Sequence, residues 1–171
     1  MKLKKFIAAI LAPVILLAGC STNDGSGSDN NSDSDTANPA PEVEPTVIVN
    51  AVLAEVPITS GVEKSKDDIP DFYADIDVSK IESAAFVICA SGAYPDELAV
   101  MKCTDASAAA AVKAEFEKRL SSQSELYSTY TPEEMYKLET AQIYTSGNYA
   151  IFLAVSDNSK AKEIVDGKLS G

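Results

Sequence analysis

Ala84-Ala85-Phe86-Val87-Ile88-Cys89-Ala90 and, one short loop later, Leu98-Ala99-Val100-Met101 are two nearly unbroken apolar runs. Neither alternates between apolar and polar residues, so a strand built from either is apolar on both sides. That reading decides the fold: the sheet is central in the core or covered on each face. Gly92–Pro95 separates the runs, and Ala84–Ser91 and Asp96–Thr104 read as the strands of one hairpin. With that loop, Ser91 faces Asp96, Cys89 faces Leu98 and Cys103 faces Ala84. A disulfide needs Cα atoms within about 7 Å. On this register Cys89 and Cys103 are too far apart, and on opposite sides, to bond. They are expected to be buried free thiols acting as small hydrophobes.

Toward the C-terminus, Asp105 caps a long helix that runs to about Ser128. Val112, Phe116 and Leu120 recur at i, i+4 and i+8, with Ala108 and Ala109 before them and Tyr127 after, which makes one apolar stripe. Lys113, Lys118 and Arg119, with Glu115 and Glu117, are expected on the solvated side. Thr131-Pro132-Glu133-Glu134 reads as a capping box with proline at the first helical position, opening a short helix to about Glu139. Ala141–Ser146 and Tyr149–Val155 follow as strands around Gly147-Asn148, a two-residue hairpin loop. Tyr149, Ile151, Leu153 and Val155 share one face, and Ala150, Phe152 and Ala154 the other. Asp157 or Asn158 caps a last helix carrying Ala161, Ile164, Val165 and Leu169.

Toward the N-terminus, Ser65–Tyr73 reads as a short helical turn docked by Ile69, Phe72 and Tyr73. Val47–Val56 reads as a helix with Thr46 as N-cap, stopped by Pro57. The order α-β-β-α-α-β-β-α predicts an α+β domain over residues 46–171: an antiparallel four-stranded sheet of two hairpins, packed with helices.

Two further segments precede the domain. Lys2, Lys4 and Lys5 are followed by a 13-residue apolar run, Phe6–Ala18. At about 1.5 Å per helical residue the run is too short for the roughly 30 Å hydrocarbon core of a bilayer, so residues 1–19 read as a signal peptide. The run ends in Leu17-Ala18-Gly19-Cys20, which resembles the bacterial lipobox. That resemblance implies cleavage before Cys20 and a diacylglycerol on its sulfur, with stable anchoring once further acyl chains are added. Residues 20–45 read as a tether. Ser21 to Asp35 contains no apolar residue and has nothing to bury against its ordering entropy. Asp29, Asn31, Asp33 and Asp35 alternate like calcium ligands, but Ser34 and Ala40 stand where an EF-hand needs Gly and Glu.

Composition narrows the chemistry. The chain has 14 basic and 26 acidic residues, and 11 against 26 without Lys2, Lys4 and Lys5. Such a balance is repelled by nucleic acid and by anionic headgroups. No nucleic-acid partner is expected; the membrane is met through the lipid on Cys20. There is no histidine, which removes Ser-His-Asp and Cys-His catalysis and histidine zinc sites. No metal or cofactor is expected.

Asp96-Glu97-Leu98-Ala99, Arg119-Leu120-Ser121-Ser122-Gln123, Tyr130-Thr131-Pro132-Glu133-Glu134 and Gly147-Asn148-Tyr149, in that order, resemble the bacterial lipoprotein family called domain of unknown function 4358. The similarity covers roughly Val47 to Asn158. It implies a small secreted lipoprotein of Gram-positive bacteria, and it implies no activity.

Three groups of residues bear on function. Ser156-Asp157-Asn158 and Ser159-Lys160-Ala161-Lys162 match two marks of penicillin-recognising enzymes, but they are adjacent, in the wrong order and without Lys-Thr-Gly. They read as a helix cap followed by exposed lysines. Asp96-Glu97 and Glu133-Glu134 could serve as paired acids, or as a strand entry and a helix first turn. Tyr127, Tyr130 and Tyr136, with Gln123 and Glu133, gather around the helix–helix corner. Tyrosine joins a flat apolar face to a polar tip, which suits recognition of a peptide, glycan or protein. These five are the candidate recognition surface, and Cys20 is the lipid-attachment residue. The expected function is a non-catalytic binding or accessory domain on the outer face of the cell membrane, with an envelope protein or cell-wall component as partner. The alternatives are a structural or stress-response lipoprotein and a carboxylate-dependent hydrolase.

Overall fold

The structure is a computed structural model and describes residues 42–171. The segment read as a signal peptide, Cys20, and the segment read as a tether as far as residue 41 lie outside the described residues.

The sheet has five antiparallel strands, not four: β1 (Gly61–Ser65), β2 (Ile81–Cys89), β3 (Glu97–Cys103), β4 (Gln142–Ser146) and β5 (Tyr149–Ala154), in the spatial order β1-β2-β3-β5-β4. The additional strand is β1. Its sequence, Gly-Val-Glu-Lys-Ser, holds one apolar side chain and lies at the sheet edge with little of its surface covered. An edge strand of this kind carries no periodic signal, and charge on it discourages pairing with other chains. Gly61 is fixed by its surroundings: a Cβ there would lie 2.9 Å from Val87 Cγ1.

The β2–β3 hairpin forms, but two residues out of the expected register. Ile88 faces Glu97, Val87 faces Leu98, and Cys103 faces Ile81, not Ala84. The cause is the loop. The Cys89 N–H donates to Asp96 O and the Ser91 hydroxyl accepts from the Ala93 N–H, so Ala90 and Ser91 belong to the turn. Cys89 and Cys103 lie at opposite ends of the ladder as buried free thiols. The second hairpin turns at Gly147, whose φ of 56° suits glycine, with Ser146 facing Tyr149. β3 and β5 then pair, joining the hairpins at the centre of the sheet.

Helices cover both faces. On one, α1 (Pro45–Glu55) and α5 (Asn158–Leu169) bury Ile48, Val52, Val165 and Leu169 against Leu98, Val100, Ile151 and Leu153. On the other, α3 (Ala106–Tyr130), α2 (Ile69–Phe72) and α4 (Met135–Glu139) close over Phe86, Met101, Ala150 and Phe152. Burying each large aliphatic or aromatic side chain contributes about 1.5–3 kcal/mol before entropy is counted. Both faces of β5 carry the residues its alternation assigns them.

The caps show what sets the helix ends. Asp105 caps α3 by accepting from the Ala108 N–H at 2.8 Å, and Asp157 caps α5 through the Lys160 N–H at 2.9 Å. α1 opens at Pro45 with Glu44 as N-cap, not at Thr46, because proline has no N–H to leave unpaired at N1. The expected capping box at Thr131 does not form. Pro132–Glu134 is a 3-10 turn leading into α4, the Thr131 hydroxyl caps nothing, and Glu134 pairs with Lys137 instead.

Candidate functional site

The site begins at the entry of β3, where two adjacent carboxylates enter the protein. Glu97 is completely buried and Asp96 nearly so. A buried charge persists only when it is paired and hydrogen-bonded, and each of these has its own cation.

Glu97 is held from α3. The Arg119 Nε–H donates to its Oε1 and Oε2 at 2.6 and 2.7 Å, and Gln123 Nε2 donates to Oε2 at 2.6 Å. The Tyr73 hydroxyl also donates to Oε1. Arg119 therefore does not lie on the solvated side of α3 as expected. Phe116, Arg119, Gln123 and Tyr127, at i, i+3, i+7 and i+11, share one flank of the helix. The Arg119 guanidinium lies over the Tyr73 ring at 5.1 Å and the Phe72 ring at 5.9 Å, and Nη1 donates to Phe72 O at 3.3 Å. Burial would lower its affinity for a proton, but the Glu97 charge outweighs burial and raises it. Burial, and then Glu97, push the Tyr73 hydroxyl well above the usual tyrosine range, so Tyr73 is a fixed donor.

Asp96 is held from α4. Lys137 Nζ lies 2.6 Å from Asp96 Oδ2 and 2.7 Å from Glu134 Oε2. Burial would lower the Lys137 pKa, but the two carboxylates raise it. The ammonium also sits 5.5 Å from the Tyr94 ring centre and 5.9 Å from that of Tyr136, where cation–π attraction adds to the pairing. Asn158, at the start of α5, braces this corner. Its Oδ1 accepts from the Val155 N–H, and its Nδ2 donates to Lys137 O and Thr140 Oγ1 at 2.9 Å each. The Ser-Asp-Asn sequence is thus a cap and a brace.

The five candidate recognition residues divide into two groups. Gln123 and Tyr127 turn inward. Tyr127 is buried, and its hydroxyl donates to the carbonyls of Gly92 and Tyr94, both at 3.0 Å, tying the Ser91–Pro95 loop to α3. Tyr130, Glu133 and Tyr136 face outward; Tyr130 is 77% exposed. Tyr94, which sequence reasoning did not single out, stands beside Lys137 with Tyr136. Tyr94, Leu126, Tyr130 and Tyr136 are among the large hydrophobic side chains exposed in the described residues. Along the other side of α3, a groove of about 440 Å³ runs between the helix and the Phe72–Asp75 segment, with Arg119, Gln123 and Tyr127 along its wall. Among the described residues no three His, Cys, Asp or Glu side chains gather as a metal site.

The family described as Domain of unknown function (DUF4358) matches residues 55–156, more than half of the chain. The chain belongs to that family. The DUF4358 segment contains all five strands, α2 to α4 and both carboxylate clusters except Asn158, while α5 and all but the last residue of α1 lie outside it. No curated protein and no solved structure matches the chain. No helix among the described residues is long and apolar enough to cross a membrane.

Proposed function

We propose that this DUF4358 protein is a lipid-anchored, extracytoplasmic binding domain without catalytic activity, which presents its tyrosine corner to a protein of the cell envelope. The observation that carries the reading is that Tyr94 and Tyr136 stand exposed beside a buried Lys137 held by two carboxylates, with Tyr130 exposed at the end of α3. Exposed aromatics on a rigid, braced base lose little freedom on docking, and interface energy concentrates in such residues. The non-catalytic part rests on the carboxylates. Asp96 and Glu97 are each engaged by a cation, and Glu134 lies against Lys137, so all three serve as ion-pair partners within the fold. The anchored part rests on Lys2, Lys4, Lys5, the short apolar run and Leu17-Ala18-Gly19-Cys20.

The test is crosslinking of the full chain in intact cells, followed by recovery and mass spectrometry. A diacylglyceryl mass on the peptide beginning at Cys20, and one partner recovered at near-equal yield, are expected. The partner should be lost both from Cys20→Ala and from a folded Tyr130→Ala/Tyr136→Ala variant. Unchanged recovery with the double tyrosine variant refutes the corner as the docking surface.

A further inference from the structure

We propose that the tyrosine corner docks a basic segment of its partner protein, an arginine-bearing stretch laid along α4. This rests on the corner being the docking surface, and adds the chemistry of what docks there. Tyr136 is 45% exposed and stands between two exposed carboxylates, Glu133 three residues before it and Glu139 three after. Pro132–Glu139 is a 3-10 turn running into α4, and residues three apart in such a stretch are surface neighbours. Lys137, the cation beside the ring, is spent on Asp96 and Glu134. No ion pair among the described residues includes Glu133 or Glu139. Four carboxylates, Asp96, Glu133, Glu134 and Glu139, thus stand against one ammonium, which leaves the corner three negative charges in excess.

The acidity of the whole chain does not by itself place this surface. Along α3 the charges balance: Lys118 pairs with Glu115 and Asp75, and Arg119 with Glu97. At the corner, unpaired carboxylates coincide with exposed rings. The exposed aromatic side chains among the described residues are Tyr94, Tyr130 and Tyr136, and Tyr130 stands three residues before Glu133. The rings of Tyr94 and Tyr136 already take a cation, with Lys137 Nζ at 5.5 and 5.9 Å. A guanidinium suits the open side of Tyr136 best. It is planar, stacks on a ring face, and its forked N–H groups reach a carboxylate at the same time. Spacing narrows the segment further. From Glu133 to Glu139 the chain rises about 9–12 Å. A polyproline-II stretch rises about 3.1 Å per residue with three residues per turn, so arginines three apart project from one side about 9 Å apart.

The experiment follows the backbone ¹⁵N–¹H signals of Glu133 to Thr140 in the full chain carrying Cys20→Ala. The probes are acetyl-Gly-Arg-Pro-Pro-Arg-Gly-amide and its analogue with both arginines replaced by uncharged citrulline. The arginine peptide should move these signals saturably, and the citrulline peptide should bind about tenfold more weakly, having lost its ion pairs and its cation–π contact. Glu133→Gln/Glu139→Gln and, separately, Tyr136→Ala should each weaken the arginine peptide about threefold or more. Glu44→Gln/Glu63→Gln makes the same change of charge at exposed positions on the N-cap of α1 and on β1, and should leave binding unchanged. No movement, equal binding of the two peptides, full binding by either corner variant, or equal weakening by the Glu44/Glu63 pair each overturns the proposal. In intact cells Glu133→Gln/Glu139→Gln should lose the crosslinked partner, as the double tyrosine variant does. Partner retained by the glutamine pair but lost from the tyrosine variant overturns the basic segment and leaves the corner standing; partner retained by both overturns the corner itself.

Discussion

The two faces of one sheet are held by different physics. Under α1 and α5 the contact is largely aliphatic, with Ile48, Val52, Leu98, Val100, Ile151, Leu153 and Val165, and its buried charge, Lys102, lies near the end of β3 paired with Glu42 and Glu82. Under α2, α3 and α4 the core is aromatic and carries Glu97 with Arg119, Gln123 and Tyr73. The first face is non-directional and tolerant of substitutions that keep volume. The second fixes particular atoms at particular distances, because each bond to the buried Glu97 depends on where its donor is held. Both the groove and the tyrosine corner belong to this second face.

The largest effect should come from breaking the polar face. Arg119→Met leaves Glu97 buried without its cation and should cost about 3–5 kcal/mol in chemical denaturation. The double variant Glu97→Leu/Arg119→Met should recover much of that loss, because an apolar pair of similar volume avoids the desolvation. A double variant as unstable as the single one would show that the cluster holds the fold through its shape. On the aliphatic face, Ile151→Val should cost only about 0.5–1.5 kcal/mol by the same measurement.

The thiols sharpen the contrast more gently. Burial, with help from Asp105 and Glu82, pushes Cys103 up to about 11. Burial also acts on Cys89, but hydrogen bonds from Ser91 and the backbone of the Ser91–Tyr94 turn outweigh it and lower its pKa. Iodoacetamide should therefore alkylate Cys89 in the native protein about tenfold faster or more, since the thiolate is the nucleophile. Peptide mapping reads this directly.

The smallest effect is on acid stability. The carboxyls of Asp68, Asp77 and Asp105 are depressed, in each case chiefly by hydrogen bonds: from the Ser65 N–H, the Ser79 hydroxyl and the Ala108 N–H respectively. A depressed folded pKa gives stability that is present above the ordinary carboxylate value of about 4 and is lost as pH falls through the folded value. Melting temperature should be flat down to about pH 4 and fall below it. Asp105→Asn keeps a capping oxygen that does not titrate, and should flatten part of that fall.

Much of the fold was legible because it rests on local rules. The strands from Ile81 to Cys103 and from Gln142 to Ala154, the α3 stripe and the Asp105 and Asp157 caps follow from periodicity and turn chemistry. The register of β2 on β3 was not, because a slip of two residues leaves every side chain on its own face, and the hydrogen bonds of the Ser91–Pro95 turn decide between the two pairings. β1 was missed for want of any apolar pattern. Arg119 was misplaced because charge was weighed before angle; its i+3 spacing from Phe116 already put it beside the stripe, on the same flank as Gln123 and Tyr127, four and eight residues further on. Lys137 was missed because its burial depends on Asp96, a partner far along the chain.

At the start of the described chain, the Tyr149 hydroxyl accepts from the Val43 N–H at 3.0 Å and donates to Val43 O at 2.9 Å, while Lys102 pairs with Glu42 at 3.1 Å. Lys102 and Tyr149 face each other across β3 and β5. A pull arriving from the N-terminal side is thus delivered to one rung at the centre of the sheet, before α1 carries any load. Any such load would meet the strands that join the two hairpins first, and the helices would follow.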